Sequence, residues 1–70
     1  MHALMVFVGR DSWSRPVYIY NGRYYVDVDP RPDRPPQLCT KQFNAFDGEP
    51  NMPISEALSV TFSPKRDTWP

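Results

Sequence analysis

The sequence predicts an all-β fold: a small antiparallel meander or SH3-like half-barrel of about four to five strands, with at most one short helical turn. Nine prolines divide the 70-residue chain into short segments, which favours strands over helices. A chain of this length forms one domain. We assign residues 1–63 to that domain and residues 64–70 to a polar C-terminal tail.

A β-hairpin is the strongest local signal. Residues 17–20 and 23–29 are rich in Val, Ile and Tyr, and only Asn21 and Gly22 separate them. A type I′ turn needs a positive φ at both central residues, which Asn and Gly tolerate best. The two-residue turn fixes the register, which pairs Tyr20 with Arg23, Ile19 with Tyr24, Tyr18 with Tyr25, and Val17 with Val26.

Alternation along the hairpin places its side chains on two faces. We expect the more aliphatic face to form the core; it carries Val17, Ile19, Tyr24, Val26 and Val28. We expect the opposite face to reach solvent or a partner, because so short a chain can rarely cover both faces of a sheet. That face carries Tyr18, Tyr20, Arg23, Tyr25, Asp27 and Asp29.

The segments before and after the hairpin predict two more strands and a spacer. Residues 3–8 are apolar throughout, which predicts a central or fully buried strand that ends at Gly9. The Pro- and Arg-rich residues 30–36 predict a stiff, polyproline-like spacer. Residues 37–41 predict a short strand.

The last third of the chain combines a long loop with one more strand. We expect residues 42–53 to form a loop that Phe43 and Phe46 hold in place, and this loop is the next candidate interaction surface after the tyrosine-rich face. We expect a helical turn at about residues 53–56. The strand after it places Leu58, Val60 and Phe62 on one apolar face.

Composition excludes several functional classes. Eight Lys and Arg balance eight Asp and Glu, so no overall field attracts nucleic acid or an anionic membrane. The apolar run at residues 3–8 is far shorter than the roughly 20 residues that cross a bilayer, and it lacks the flanks of a signal peptide. The single cysteine, Cys39, cannot form an internal disulfide, which favours a reducing compartment such as the cytoplasm.

No catalytic constellation is visible. The only histidine, His2, lies at the terminus, and the simplest role for Cys39 is that of a small buried hydrophobe. The carboxylates at 27 and 29 and those at 47 and 49 could bind a cation or act in acid–base catalysis. Pairing with nearby arginines is the simpler interpretation, so we predict a protein that is not an enzyme and has no cofactor or metal site.

The tyrosine-rich face points to binding. Broad amphipathic rings bind peptides at low entropic cost, so we expect a protein or peptide partner, including a second copy of the chain. The predicted binding residues are Tyr18, Tyr20, Arg23 and Tyr25, with Trp13. Single-stranded nucleic acid stacked on the rings is the alternative, and a small metal-dependent enzyme is a distant third. The rings could also simply stabilise the sheet by pairing across strands.

Four short stretches carry a resemblance. Residues 11–18 read Asp-Ser-Trp-Ser-Arg-Pro-Val-Tyr, residues 38–40 read Leu-Cys-Thr, and residues 46–50 read Phe-Asp-Gly-Glu-Pro, with Pro53-Ile54 after them. Together they resemble small uncharacterised open reading frames of bacteria and their mobile elements. The resemblance implies a cytoplasmic protein of bacterial or phage origin and assigns no activity or site residue.

Overall fold

The structure is a computed structural model that describes residues 2–55 and 58–70. One six-stranded sheet forms the body of the protein. The strands are β1 (His2–Arg10), β2 (Pro16–Tyr20), β3 (Arg23–Asp27), β4 (Leu38–Lys41), β5 (Pro50–Pro53) and β6 (Ser59–Ser63), with a short 3₁₀ turn at Gln42–Asn44. Their order in the sheet is β5-β4-β3-β2-β1-β6. None of the helical segments in the described ranges is long and apolar enough to cross a membrane.

The all-β class is confirmed, and the sheet is larger than the sequence indicates. Residues 50–53, expected in a loop, form β5 at one edge and pair with β4. The chain then crosses to the other edge, so β6 runs parallel to β1 while every other neighbouring pair is antiparallel. The expected helical turn at 53–56 is not seen at its first three positions, since Pro53 ends β5 and residues 54 and 55 are not helical; residue 56 lies outside the described residues.

The hairpin between β2 and β3 is confirmed with its predicted register. Tyr18 pairs with Tyr25, and the three other predicted pairs are also present. Asn21 and Gly22 have φ values of 52° and 76°, as a type I′ turn requires.

The expectation that the tyrosine-rich face of the hairpin reaches solvent was wrong. The tyrosine face packs into the core, and Tyr18 has 0% exposure. Its ring packs against Phe7 and Phe62, with centroids 5.8 and 4.8 Å away. The physical reason is the C-terminal segment, which lies on this face and donates the Asp67 N–H to the Tyr18 hydroxyl at 2.9 Å.

Residues 64–70 connect the sheet to the proline-rich segment. The Arg66 guanidinium lies 3.3 Å from the buried Asp27 carboxylate and also donates to the carbonyls of Arg31 and Arg34. The Trp69 N–H donates to the Pro30 carbonyl at 2.9 Å. These contacts place the C-terminal segment and the spacer over the tyrosine face.

The opposite face, which we call the outer face, is covered over only part of its area. Val17 and Val26 lie on it and have 0% exposure, as expected for core residues. In contrast, the first strand is paired on both sides but is not fully buried: Leu4, Val6 and Val8 of β1 are 49%, 39% and 44% exposed. β1 lies between β2 and β6 in the sheet, but its outer side carries these three exposed side chains.

Candidate functional site

A continuous apolar surface follows the uncovered part of the outer face. The register places Val6 beside Ile19 and Ile19 beside Tyr24, in one row across β1, β2 and β3. Leu4 and Val8 extend this row along β1, and Phe46 adjoins Tyr24 with ring centroids 5.8 Å apart. The outer apolar surface comprises Leu4, Val6, Val8, Ile19, Tyr24 and Phe46, with the neighbouring Phe43. Contiguous apolar patches of this kind often mark interaction sites on small proteins.

Phe43 is the most distinctive residue of this surface. It is 96% exposed, although its side chain is large and apolar. Its backbone has φ 57° and ψ 17°, and the following Asn44 also has a positive φ of 49°. The left-handed conformation costs a residue with a Cβ about 1–2 kcal/mol. Backbone strain of this kind concentrates at functional sites, so Phe43 is a candidate contact residue.

Hydrogen bonds to the hairpin hold the loop that carries Phe43. The Tyr24 N–H donates to Asn44 Oδ1 at 2.8 Å, and Asn44 Nδ2 donates to the Gly22 carbonyl at 3.1 Å. The Gln42 N–H donates to the Glu49 carbonyl at 2.8 Å and closes the base of the loop. The side chain of Asn44 therefore fixes the position of its neighbour Phe43 relative to the sheet.

Close packing inside the loop restricts its conformation. A Cβ atom at Gly48 would lie 2.5 Å from the Gln42 carbonyl oxygen, so only glycine fits there. The Phe46 ring packs beneath the loop, 3.5 Å from where a Cβ at Gly9 would lie. The two phenylalanines thus divide their roles: Phe46 attaches the loop to the sheet, and Phe43 points into solvent.

A buried ion cluster lies under the covered half of the outer face. Lys41 Nζ lies 2.6 Å from Asp11 Oδ2, and the two side chains are 0% and 1% exposed. Arg15 lies 3.2 Å from the same oxygen. Burial alone would raise the pKa of Asp11, but hydrogen bonds from Lys41 and Arg15 outweigh it and hold this pKa below its ordinary value of 3.8. Nearby, the Ser12 N–H donates to the Asp47 carboxylate at 2.9 Å, which joins the two loops over this cluster.

The three predicted binding tyrosines do not form an exposed platform. Tyr18 is buried, whereas Tyr20 and Tyr25 are half-buried and pack against the core with ring centroids 6.5 Å apart. Burial raises the pKa of Tyr18, consistent with a hydroxyl enclosed by protein. These rings therefore act as cross-strand and core packing groups.

The two other predicted binding residues reach solvent. Arg23 is exposed at the start of β3, beside the hairpin turn. Trp13 is 66% exposed, and the Arg15 guanidinium lies 5.7 Å from its ring centroid, in cation–π contact. Arg23 pairs with Tyr20 at the hairpin end of the tyrosine face, whereas Trp13 lies in the loop between β1 and β2.

The carboxylates at 27 and 29 are occupied by protein donors. Asp27 accepts hydrogen bonds from the backbone N–H groups of Asp29 and Gln37, at 3.1 and 3.0 Å, in addition to Arg66. Asp29 pairs with Arg31 at 2.7 Å, and this hydrogen bond lowers the pKa of Asp29. Across the ranges described, no three His, Cys, Asp or Glu residues cluster as metal ligands would.

The sheet also encloses a cleft of about 500 Å³ between β6 and the start of β4. Its walls are mainly apolar and include Leu38, Ile54 and Val60. Cys39 also lines it, and burial raises the pKa of the Cys39 thiol. A thiol with a raised pKa holds little of the reactive thiolate at neutral pH.

Most cations are engaged in internal pairs. Salt bridges join Arg10 to Asp67, Arg15 and Lys41 to Asp11, Arg31 to Asp29, and Arg66 to Asp27. Within the described residues, Arg23, Arg34 and Lys65 have no salt-bridge partner, and they lie in three different segments of the chain. The positive charge is thus dispersed.

Comparisons of the chain with protein-family models, curated proteins and solved structures find no match. The sequence identified the loop with Phe43 and Phe46 as a candidate surface, but it did not identify the exposed side of β1. The sequence signal for that exposed side is that all of residues 3–8 are apolar, so that both faces of this strand carry apolar side chains.

Proposed function

We propose that this chain is a non-enzymatic protein-binding module, and that it binds its partner through the outer apolar surface with Phe43 as the anchor. The observation that carries the proposal is the near-complete exposure of Phe43 on a loop held by Asn44 and Gly48. Solvent exposure of such a ring contributes nothing to folding, and its backbone conformation is unfavourable. Contact with a partner would account for both the exposed ring of Phe43 and its left-handed backbone.

The rigidity of the loop supports this role for Phe43. Ordering an interface side chain or loop on binding costs free energy, and a loop that is already ordered avoids part of this cost. Aromatic anchors surrounded by apolar contacts dominate the energetics of many protein interfaces. Here the hydrogen bonds of Asn44 attach the loop to the hairpin, on which Ile19 and the neighbouring Val6 form an apolar row.

The chemistry of the surface supports a protein partner over nucleic acid. None of the seven side chains of the outer apolar surface carries a charge. The tyrosines that would stack bases belong to the core side, and Arg10, Arg15, Arg31 and Arg66 are held in ion pairs. We therefore expect a partner segment with an apolar face.

A peptide selection tests the proposal. Random peptides displayed on phage are selected on the wild-type protein, and the dissociation constants of the enriched peptides are measured against Phe43→Ser and Met52→Ser. Met52 is a matched control because it is 63% exposed and apolar but lies on β5, outside the outer apolar surface. We expect Phe43→Ser to weaken binding by about 30-fold or more and Met52→Ser to change it by less than about threefold.

Salt dependence separates the two partner classes. Binding through an apolar surface should change little between low and moderate salt, whereas several phosphate contacts would produce a loss of about a thousandfold or more. The proposal is wrong if peptides bind both variants equally well, or if only oligonucleotides bind and do so with a steep loss on adding salt.

A further inference from the structure

The two edges of the sheet differ in how they resist pairing with another strand. β5 contains Pro50 and Pro53, and a proline has no N–H to donate to a neighbouring strand. β6 contains no proline and no charged residue, the two devices that commonly protect an edge. Among the described residues, β1 is the only strand that pairs with β6. β6 is thus the edge that lacks these two protections.

The sequence of β6 is complementary to itself. It reads Ser-Val-Thr-Phe-Ser, and an antiparallel pair of two copies centred on Thr61 uses all five residues of each strand. In this register Ser59 lies opposite Ser63, Val60 lies opposite Phe62, and Thr61 lies opposite its own copy. Thr–Thr pairs and pairs of an aromatic with a β-branched residue are among the favourable cross-strand neighbours.

The same register matches the two faces of the sheet. Val60 and Phe62 pack on the core side, while Thr61 is exposed on the outer face. Side chains directly opposite each other in an antiparallel pair share a face, so the core side of one copy continues into that of the other. Val60 also lines the apolar cleft, and the partner's Phe62 would lie opposite it, at the edge of the cleft.

We propose that β6 pairs with β6 of a second copy, in an antiparallel register centred on Thr61, and joins two sheets into one. Both edges are uncharged, so no like-charge repulsion opposes the contact. Five paired residues span roughly 17 Å. Such an edge buries less than the roughly 1,200 Å² of a standard interface, so the dimer is expected to form only at high micromolar concentrations.

Sedimentation equilibrium of the full chain tests this pairing, from about 10 μM to about 1 mM. The wild-type mass should rise from 8.2 kDa toward twice that value. Thr61→Lys places two like charges directly opposite each other and should weaken the dimer by at least about tenfold. Thr61→Val is the matched control, since it also removes the hydroxyl that hydrogen-bonds His2 at 3.0 Å but adds no charge; it should dimerise like the wild type.

A mixing experiment tests the register. Thr61→Glu alone should also be monomeric, but an equimolar mixture of Thr61→Lys and Thr61→Glu should form a heterodimer, because residue 61 faces residue 61. Rescue on mixing also shows that both variants are folded. A wild type that stays monomeric at the highest concentration, or a mixture that does not associate, would overturn the proposal.

The inference uses a different surface from the proposed function, so the two can fail separately. Phe43→Ser should leave the dimer intact, because Phe43 belongs to the 42–44 turn and not to β6. If Phe43→Ser abolishes self-association and Thr61→Lys does not, the copies meet through the outer apolar surface and the β6 pairing is refuted.

Discussion

The buried pair of Lys41 and Asp11 allows a sharp test of the structure. Lys41→Met keeps the length and most of the apolar stem of the side chain and removes its charge. The Asp11 carboxylate then stays buried at 1% exposure, with Arg15 at 3.2 Å as its remaining ionic partner. The backbone N–H groups of Trp13 and Arg15, each at 3.0 Å, still donate to its other oxygen.

The expected cost follows from these remaining contacts. Removal of one partner from a buried ion pair costs about 3–5 kcal/mol. Because Asp11 keeps one cation and two backbone donors, we expect the lower end, about 3 kcal/mol. At about 0.05–0.15 kcal/mol per residue, the whole domain has a free energy of unfolding of only about 4–10 kcal/mol. The variant should therefore lose about a third or more of its stability.

Denaturant unfolding followed by circular dichroism measures this loss. Lys65→Met is the matched control, since Lys65 is exposed and without a salt bridge in the described part of the chain; it should change stability by less than about 0.5 kcal/mol. Asp11→Asn combined with Lys41→Met removes both charges and should be less destabilised than the sum of the single variants. A loss below about 1 kcal/mol for Lys41→Met would refute the burial of this pair.

Three further predictions concern the turn, the core and acid. Gly22→Val should lower the free energy of unfolding by about 1–2 kcal/mol, because a valine is strained at a φ of 76°. No atom lies within 4 Å of the position of a Cβ at Gly22, so the effect is backbone strain alone. Thermal unfolding measures this loss, and Gly22→Asn should cost less. Tyr18→Phe should cost about 1 kcal/mol and accelerate amide exchange at Asp67, whose N–H loses its acceptor at 2.9 Å. The pKa of Asp11 is lowered by folding, so its contribution is present above its ordinary value of 3.8 and should be lost as pH falls through the lower folded value. Unfolding measured from pH 5 to pH 2 should show this loss in the wild type, and a much smaller one in Asp11→Asn.

The hairpin could be predicted because its determinants are local. Asn21 and Gly22 both need a positive φ, and a two-residue turn leaves one register for the strands on either side. The strand at residues 38–41 was similarly predictable from its own composition. Each of these elements depends on residues that are close in the sequence.

The assignment of faces could not be made in the same way. Both faces of the hairpin carry β-favouring side chains, so alternation alone does not show which one is buried. The decisive contacts are distant in sequence: Asp67 with Tyr18, and Arg66 with Asp27. A polar C-terminal segment gave no sign that it would cover aromatic rings, because it does so through its backbone and its guanidinium group.

The candidate site was only partly predictable for a related reason. Phe43 and Phe46 lie three positions apart in one loop, and composition does not distinguish them. The left-handed backbone at Phe43 and Asn44 directs one ring outward, while the hydrogen bonds of Asn44 to the hairpin fix the loop. That conformation arises from the fit of the loop to the hairpin turn, which the sequence alone does not show.

The segments outside the sheet cover its two faces unequally, and the part left uncovered is the surface that we propose binds a partner. The C-terminal segment lies on the tyrosine face, and the loops at 11–15 and 42–49, which the Ser12–Asp47 hydrogen bond joins, lie on the outer face, where Phe46 packs against Tyr24. The N-terminal half of β1 is left with one uncovered side, which carries Leu4 and Val6. A chain that needed only to fold would be expected to place polar residues at these solvent-exposed positions. Apolar residues on the solvent side of a central strand, next to an anchored and exposed phenylalanine, are what a protein-binding surface requires.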